Sequence, residues 1–194
     1  MNQPFASRAG EKLDAALRDL HIDVTDAVVA DLGSSTGGFV DVLLRRGAAK
    51  VFAVEKGYGR LDWRLRNDSR VVVLERKDAR ELALPEAVDL VTIDIGFVRQ
   101  IEILPKAMTF LRREGRILSL IKPQYEAGGH DLDRGQLTDA VSRRVLDRTL
   151  RQIGDLGIHV DALLTSSVRG KDAGAQEYFI LVTKPAEEII PEDP

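Results

Sequence analysis

The sequence predicts an α/β fold in which helices cover both faces of a mostly parallel, seven-stranded sheet, a three-layer sandwich. Short apolar runs alternate with amphipathic helical segments along most of the chain. That alternation is typical of parallel strands joined by crossover helices. A chain of 194 residues, 44% of them hydrophobic, is long enough for one domain with a buried core. Small residues follow the first apolar run, as in the ligand-binding loops of such sheets.

The elements of the first part follow from the spacing of apolar residues. A first helix over 7–20 has Ser7 as its N-cap and apolar residues along one face. Strands are predicted over 28–32, 50–55, 71–74, 89–94 and 116–121. Helices between them are predicted over 38–46, 60–66 and 98–112. Pro105 is expected to kink or split the last helix.

The last part of the chain adds a long helix and two strands. Thr138 is expected to cap a helix that runs to about residue 156. Its buried face is predicted to comprise Val141, Val145, Ile153 and Leu156. Strands over 158–164 and 177–183 then form a hairpin, with one strand antiparallel to the rest of the sheet. Residues 1–184 are therefore predicted to be one domain, and the acidic, proline-containing residues 185–194 a solvated tail.

Composition excludes several classes of protein. The chain has no cysteine, so disulfides and thiolate chemistry are excluded. It has no apolar run of membrane-spanning length and no signal-peptide core, which favours a cytoplasmic location without a membrane partner. The net charge of −3 gives no overall indication of nucleic-acid binding. Nothing in the sequence decides the oligomeric state, so a homo-oligomer stays open.

The most informative segment is the loop after the first strand, from Asp31 to Phe39. Its G-x-x-x-G-G spacing differs from both the dinucleotide fingerprint and the P-loop. Glycines there allow close approach of a ligand, and the helix that follows offers free amides. Glu55 ends the next strand, where a carboxylate can accept hydrogen bonds from a ribose. The loop therefore predicts a site for a ligand that carries a nucleoside.

Four charged residues stand where a predicted strand or helix would present their side chains. Asp94 ends the fourth strand, Lys122 follows the fifth, Glu177 begins the last, and Lys12 lies on the first helix. Ends of neighbouring parallel strands open onto one crevice, so Asp94 and Lys122 are expected to share it with the glycine loop. Two cations and two anions balance, which permits partial burial. Ordinary surface charges are the alternative interpretation.

These segments resemble those of a known family. Six of them occur in the order seen in the FtsJ-like methyltransferase domain, namely 7–13, 31–39, 53–59, 72–76, 92–94 and 121–128. The likeness extends from residue 5 to about 184 and is closest to the hemolysin A (TlyA) type of RNA 2'-O-methyltransferase. The resemblance implies a Rossmann-like class I methyltransferase that uses S-adenosylmethionine. It also implies methylation of ribose 2'-hydroxyls, those of ribosomal RNA cytidines in the TlyA type.

The resemblance further implies a catalytic tetrad of Lys12, Asp94, Lys122 and Glu177. A ribose hydroxyl must lose its proton before its oxygen can attack a methyl group. Lys122 is the expected base, provided that its surroundings lower its pKa toward the working pH. Asp94 is expected to orient Lys122 and to favour the charge that it acquires. Lys12 and Glu177 are expected to position the ribose and to balance charge.

The family likeness also assigns a cofactor site. Glu55 is expected to bind the ribose hydroxyls, Asp78 the adenine amino group, and Tyr58 to cover the adenine. The expected cofactor-binding residues are Asp31, Gly33, Ser35, Thr36, Gly37, Gly38, Phe39, Glu55, Tyr58 and Asp78. A metal ion is not expected, because the spacing of His130, Asp131 and Asp133 matches no known site. The loop over 128–135 that contains them is instead a candidate substrate lid.

Three departures from the family pattern affect the expected acceptor. Only six residues precede Ser7, where TlyA proteins carry a small RNA-binding domain, so this domain is expected to be lacking. Gly96 stands where the family commonly has Ser, so a hydroxyl near the reacting centre is missing. Ala175 and Gln176 stand in a motif that is commonly Gly-Asn-x-Glu. The open alternatives to RNA as substrate are a small molecule or other polar acceptor, and a non-catalytic module that binds S-adenosylmethionine.

A basic strip in the first third of the chain is available to bind RNA phosphates. Its members are Arg8, Arg45, Arg46, Lys56, Arg60, Arg64 and Arg66. Pairing of these side chains with Asp62, Asp68 and Glu11 on solvated helix faces is the alternative. The two interpretations predict different surroundings for the same arginines.

Overall fold

The structure, a computed structural model, describes residues 5–128, 131, 138–169 and 176–184. The strands are β1 (Val28–Leu32), β2 (Lys50–Glu55), β3 (Val71–Glu75), β4 (Val88–Ile93), β5 (Leu111–Ile121), β6 (Ala162–Thr165) and β7 (Tyr178–Thr183). The helices are α1 (Ala9–Asp19), α2 (Gly38–Arg45), α3 (Trp63–Arg66), α4 (Gln100–Phe110), α5 (Pro123–Glu126) and α6 (Asp139–Asp155). In the part of the chain that the structure covers, no helix has the length and apolar character needed to cross a membrane.

All seven strands form one sheet, in the order β3-β2-β1-β4-β5-β7-β6. The five strands from β3 to β5 pair in parallel. β7 is antiparallel to both β5 and β6. The predicted mostly parallel sheet and the antiparallel late hairpin are both confirmed. The strand order reverses between β1 and β4, where sheets of this kind form a crevice at the carboxyl ends of the strands.

Alternate side chains of the sheet pack into two separate cores, which confirms the three layers. On one face, Leu13 of α1 and Leu43 of α2 pack with Phe179 of β7. On the other face, Ile103 of α4 and Ile153 of α6 pack in the second core. All five side chains are fully buried. Burying one such side chain stabilises the fold by about 1.5–3 kcal/mol relative to leaving it exposed. The two cores therefore fix the positions of the strands whose carboxyl ends form the crevice.

Two local predictions are wrong, and one is limited. Ser7 is not the N-cap of α1, because the cap position is Arg8, which makes no side-chain cap hydrogen bond. Pro105 does not split its helix, which runs without interruption from Gln100 to Phe110, so a kink is what remains of that prediction. Leu156 is not part of the buried face of α6, because it caps the end of that helix and is 47% exposed. The cap at the other end of α6 is confirmed, since the Thr138 hydroxyl accepts from the Val141 amide at 3.3 Å.

Two strand boundaries also differ from prediction. β5 begins at Leu111 rather than at 116, and its register with β4 shifts between Val88 and Leu90. Polar residues fill the irregular stretch, so the apolar pattern did not include it. The strand predicted over 158–164 is shorter, Ala162–Thr165. The departure at Ala175, the tail 185–194, and most of the predicted lid, including His130 and Asp133, lie outside the described residues.

Candidate active site

A cavity of about 760 Å³ opens at the carboxyl ends of the parallel strands. Its volume is in the range of small-molecule sites. The glycine loop after β1 forms one wall, and the residues that follow β2, β4 and β5 form the others. The start of α1 and the residue before β7 complete the lining. The crevice expected from the strand order therefore exists and is enclosed by the segments singled out from the sequence.

Gly33 makes the turn out of β1 at a place where no side chain fits. Its φ is +89°, and a Cβ there would lie 2.6 Å from the main-chain oxygen of Asp94. The amides of Gly33 and Ser34 both donate to the carbonyl oxygen of Val54, at 2.9 and 3.0 Å. Glycine is therefore required by both the backbone angle and the close approach. The turn fixes the loop against the ends of β2 and β4.

The loop continues into α2 through a second left-handed glycine. Gly37 is the N-cap of α2, with φ +95°, and its amide donates to the carbonyl oxygen of Ser34 at 2.7 Å. Gly38 begins the helix and lies against α1, where a Cβ would collide with Ser7 Oγ. Ser35, Thr36, Gly38 and Phe39 all line the cavity. Gly37 does not, so its place in the site is that of a turn residue.

Glu55 faces the cavity with both carboxylate oxygens engaged by the main chain. Oε2 accepts from the Ser35 amide at 3.0 Å, and Oε1 accepts from the Gly57 amide at 2.7 Å. Each carboxylate oxygen has a second lone pair. Glu55 can therefore hold the glycine loop and still accept hydrogen bonds from hydroxyl groups in the cavity.

Asp78 lines the cavity but is paired with two cations. Arg80 binds its carboxylate with Nε at 3.0 Å and Nη2 at 2.8 Å, and Lys56 Nζ lies at 3.1 Å. The hydrogen bonds from Arg80 outweigh burial and hold the pKa of Asp78 well below its ordinary value. Asp78 is therefore ionised and rigidly held. An adenine amino group would meet a carboxylate that already has partners.

Two further predicted cofactor residues do not line the cavity. Asp31 is fully buried, and Thr92 Oγ1 donates to its Oδ1 at 2.7 Å. Burial, reinforced by the charges of Asp94 and Glu55, raises the pKa of Asp31 to about 7. Tyr58 is 69% exposed, and its ring contacts the Arg76 guanidinium at 4.3 Å rather than the cavity. The roles given to Asp31 and Tyr58 stay predictions.

The four expected tetrad residues meet in this cavity as two ion pairs. Lys12 Nζ lies 2.5 Å from Glu177 Oε2, and both side chains are buried. Lys122 Nζ pairs with Asp94 Oδ1, and both of these side chains are 16% exposed. All four residues line the cavity. The sequence alone predicted that Asp94 and Lys122 share it, and the structure adds Lys12 and Glu177.

The pKa of Lys122 shifts in the direction opposite to the one that a base requires. Burial lowers it, but the charge and hydrogen bond of Asp94, with the charge of Glu177, outweigh burial. The pKa of Lys122 therefore lies above its ordinary value, and the group is an ammonium at neutral pH. The condition set for Lys122 as a base is thus not met by the chain's own residues, whereas Asp94 favours the charged form as expected. For Lys122 to act as a base, a further positive charge nearby must lower its pKa.

The sequence did not identify two aromatic residues beside these ion pairs. Phe97 is 87% exposed and has a φ of +63°, a conformation that is unfavourable for a bulky residue. Its ring lies 4.6 Å from the ring of Tyr125, centroid to centroid. Both residues line the cavity. The signal that the sequence offered was a phenylalanine placed after the strand that ends at Asp94, where no core position requires an aromatic residue.

The basic strip separates into paired and unpaired cations. Arg45, Arg46, Arg64 and Arg66 pair with Asp41, Asp14, Asp62 and Glu75, respectively. Arg8 and Arg60 instead line the cavity, as does Lys77. In the part of the chain that the structure describes, no carboxylate lies within 4 Å of these three cations. Arg8 and Arg60 are thus placed where the strip could bind phosphates, which stays a prediction. Of the partners named in the alternative, only Asp62 pairs with a member of the strip, Arg64.

Comparison with known proteins gives consistent results. Residues 5–184 match the family described as FtsJ-like methyltransferase. The 16S/23S rRNA (cytidine-2'-O)-methyltransferase TlyA of Mycobacterium tuberculosis is 41% identical over 182 residues, and the match covers 91% of this chain and 67% of that protein. A crystal structure from Lactococcus lactis, described as a hemolysin, has a TM-score of 0.87 at 34% identity. That match covers 94% of this chain and 90% of the other.

A more distant likeness concerns the fold. The N-methyltransferase NodS of Bradyrhizobium japonicum WM9, in complex with S-adenosyl-L-homocysteine, has a TM-score of 0.63 at 12% identity. The match covers 90% of this chain and 87% of NodS. At this identity the likeness shows the fold alone.

Proposed function

This chain belongs to the FtsJ-like methyltransferase family and is a methyltransferase that uses S-adenosylmethionine, and from that membership we propose that it methylates ribose 2'-hydroxyls of RNA. The proposed substrate is ribosomal RNA, because the relative from Mycobacterium tuberculosis is a ribosomal RNA cytidine 2'-O-methyltransferase. A cytoplasmic location fits that substrate. The observation that carries the proposal is the pair Lys122–Asp94 in the same cavity as the glycine loop.

The cavity fits the cofactor on the chain's own geometry. Gly33 has no room for a Cβ, so the main chain alone forms that wall. Ser35, Thr36 and the acidic Glu55 offer polar groups for an amino acid moiety and for ribose hydroxyls. Val54 and Ala79 add apolar surface for a base. When bound, S-adenosylmethionine supplies a methyl group that a positively charged sulfur activates.

The chain's own task is to remove a proton. Methylation of a hydroxyl forms one oxygen–carbon bond, breaks the sulfur–methyl bond of the donor, releases one proton and leaves S-adenosylhomocysteine. We assign that proton to Lys122 Nζ, with Asp94 favouring the ammonium that results. A positive charge held in the cavity opposes the ammonium form of Lys122 and so brings its pKa toward the working pH. Lys12 and Glu177 are assigned to hold the ribose.

The surface around the cavity supports an RNA acceptor. Arg8, Arg60 and Lys77 are exposed, line the cavity and have no carboxylate partner among the described residues. Unpaired cations at the mouth of a site attract phosphates. Phe97, exposed beside Asp94, offers a flat face on which a nucleotide base can stack. A chain of net charge −3 thus carries three cations without carboxylate partners around the cavity that the acceptor would enter.

The test is transfer of labelled methyl from S-adenosylmethionine to ribosomal subunits, to total RNA and to a metabolite extract. Asp94→Ala, which keeps the cavity wall but loses the ion pair, is the blank. A 2'-O-methyl group blocks alkaline cleavage of the adjacent phosphodiester, so the label should survive alkali in a dinucleotide. Label released as a mononucleotide would exclude the ribose as acceptor.

Two alternatives have distinct outcomes in the same experiment. Label that appears only in the metabolite extract would indicate a small-molecule acceptor. Binding of S-adenosylmethionine with no label in any fraction would indicate a binding module. Salt separates the acceptors further, because RNA binding weakens steeply as salt rises whereas turnover of a small neutral molecule does not.

A further inference from the structure

Tyr125 occupies space that a side chain at residue 96 would otherwise fill. A Cβ on Gly96 would lie 3.3 Å from Cε2 of the Tyr125 ring, 3.5 Å from Cζ and 3.6 Å from the hydroxyl oxygen. The ring therefore packs directly over the main chain of Gly96. Glycine at this position is what lets Tyr125 approach the residues after β4.

The Tyr125 side chain stands beside the proposed base. Lys122 Nζ lies 5.7 Å from the centroid of the Tyr125 ring, so this ring is an immediate neighbour of the ammonium group. The ring also contacts Phe97, and both aromatic residues line the cavity. None of the described residues forms a hydrogen bond with the Tyr125 hydroxyl. That hydroxyl is therefore available to a ligand.

We propose that the Tyr125 hydroxyl binds the ribose that carries the acceptor hydroxyl, and that it supplies the polar group that Gly96 lacks. A serine Oγ at residue 96 would project from a Cβ only 3.6 Å from the Tyr125 oxygen, so both hydroxyls would serve the same part of the cavity. The phenol can donate to a ribose oxygen and accept from a hydroxyl. This assignment rests on the proposed function.

The α5 helix holds Tyr125 in this position. α5 begins at Pro123, and the Tyr125 amide donates to the Lys122 carbonyl oxygen at 2.9 Å. At its other end, Glu126 is buried and accepts from the Gln100 amide at 2.8 Å. Because α5 is anchored at both ends, the ring has little freedom to leave the cavity. Its hydroxyl is thus pre-positioned for a substrate.

The experiment exchanges the two hydroxyls. Tyr125→Phe removes the phenol oxygen and keeps the ring, and the single-turnover transfer rate to RNA should fall by about tenfold, the effect of one lost hydrogen bond. Gly96→Ser in that background returns a hydroxyl to the same space and should recover part of the rate. Gly96→Ser alone should bring no gain over the wild type, because the Tyr125 hydroxyl already serves that part of the cavity. Tyr178→Phe removes a phenol that does not line the cavity and should leave the rate unchanged.

Binding measurements separate this role from a structural one. Affinity for S-adenosylhomocysteine and the melting temperature should be the same for Tyr125→Phe and the wild type. RNA with a 2'-deoxyribose at the methylated position should bind both proteins equally, whereas unmodified RNA should bind the variant more weakly. A wild-type rate for Tyr125→Phe, or no recovery in the double variant, would overturn the inference and leave the proposed function intact. If the wild type transfers no methyl to RNA, the proposed function fails, and this inference with it.

Discussion

Lys12 and Glu177 form a buried ion pair across 165 residues of sequence, with Nζ 2.5 Å from Oε2. Lys12 lies on the first helix and Glu177 directly before the last strand. The pair thus joins the two ends of the described domain at the floor of the cavity. Charges that are this deeply buried need each other, because each has lost most of its contact with solvent.

Removing one member of this pair should destabilise the fold. Glu177→Gln leaves the Lys12 charge without a counter-ion and should lower the free energy of unfolding by about 3 kcal/mol. The combination of Lys12→Met with Glu177→Leu removes both charges and should recover most of that loss. Denaturant unfolding measures both effects. The double variant should bind S-adenosylhomocysteine and still transfer no methyl, and full activity in it would refute a role in holding the ribose.

The raised pKa of Lys122 predicts a rate that increases with pH. With the ammonium favoured by Asp94, the amine form is the minor species at neutral pH. The single-turnover rate should therefore rise as pH increases above neutrality, by at most about tenfold per unit. Asp94→Asn removes the charge that raises this pKa, so its profile should level off at lower pH with a lower maximum. Profiles of the same shape in both proteins would contradict Lys122 as the base.

Asp31 should make the fold less stable as pH rises. Its pKa is about 7 in the folded protein against an ordinary 3.8, so the folded state binds more protons between these values. The contribution of Asp31 to stability is therefore lost as pH rises toward 7. The stability gained by Asp31→Asn should grow by up to about 1.4 kcal/mol per pH unit in that window. Melting curves from about pH 5 to 8 measure it, and the same substitution at exposed Asp155 should show no such trend.

Gly33→Ala should abolish cofactor binding, because the added Cβ has no room in the turn, besides the unfavourable backbone angle. The added Cβ would meet the Asp94 main-chain oxygen at 2.6 Å and displace the glycine loop or the end of β4. Gly157→Ala is a matched control, because Gly157 also has a positive φ, +74°, and has open space around it. Calorimetric titration with S-adenosylhomocysteine should detect binding to the Gly157 variant only. Similar affinity in both variants would show that the close approach to Asp94 is unimportant.

The unpaired cations at the cavity should account for the salt dependence of RNA binding. Replacing Arg8, Arg60 or Lys77 with alanine should lower RNA affinity and reduce the slope of log affinity against log salt by about one for each phosphate that is no longer bound. Arg113→Ala is the control, since Arg113 is exposed at the amino end of β5, opposite the cavity. Filter binding over a salt series measures the slope. A slope unaffected by all three variants would remove these cations from the RNA surface.

The strands that build the crevice were predictable because their sequences are short and mostly apolar. The bounds of β1 and β2 agree with prediction, and β4 differs by one residue at each end. Such runs are too short to show the period of 3.6 residues that would indicate a helix. The start of β5 failed because its first residues are polar and the register shifts there. The chain positions of Asp94 and Lys122 at strand ends were sufficient to predict that they share a cavity.

Other features of the site depend on distances that a sequence does not contain. The shift of the Lys122 pKa is the result of burial opposed by two carboxylates, and only coordinates give the balance. The cation partners of Asp78 likewise come from two different positions along the chain. Gly96 was identified as a missing hydroxyl, but the hydroxyl of Tyr125 beside it is visible only in three dimensions.

The antiparallel direction of β7 has a consequence for protein synthesis. Because β7 runs against β5, its first residue pairs with Ile121, and Glu177 reaches the same edge as Lys122. A nascent chain that has reached Lys122 already contains Lys12 and Asp94, yet it lacks both the strand and the carboxylate that neutralises Lys12. The cluster of four charged residues therefore assembles only after Glu177 and β7 have been translated. In an unfinished chain Lys12 has no counter-ion, whereas in the complete domain it pairs with Glu177.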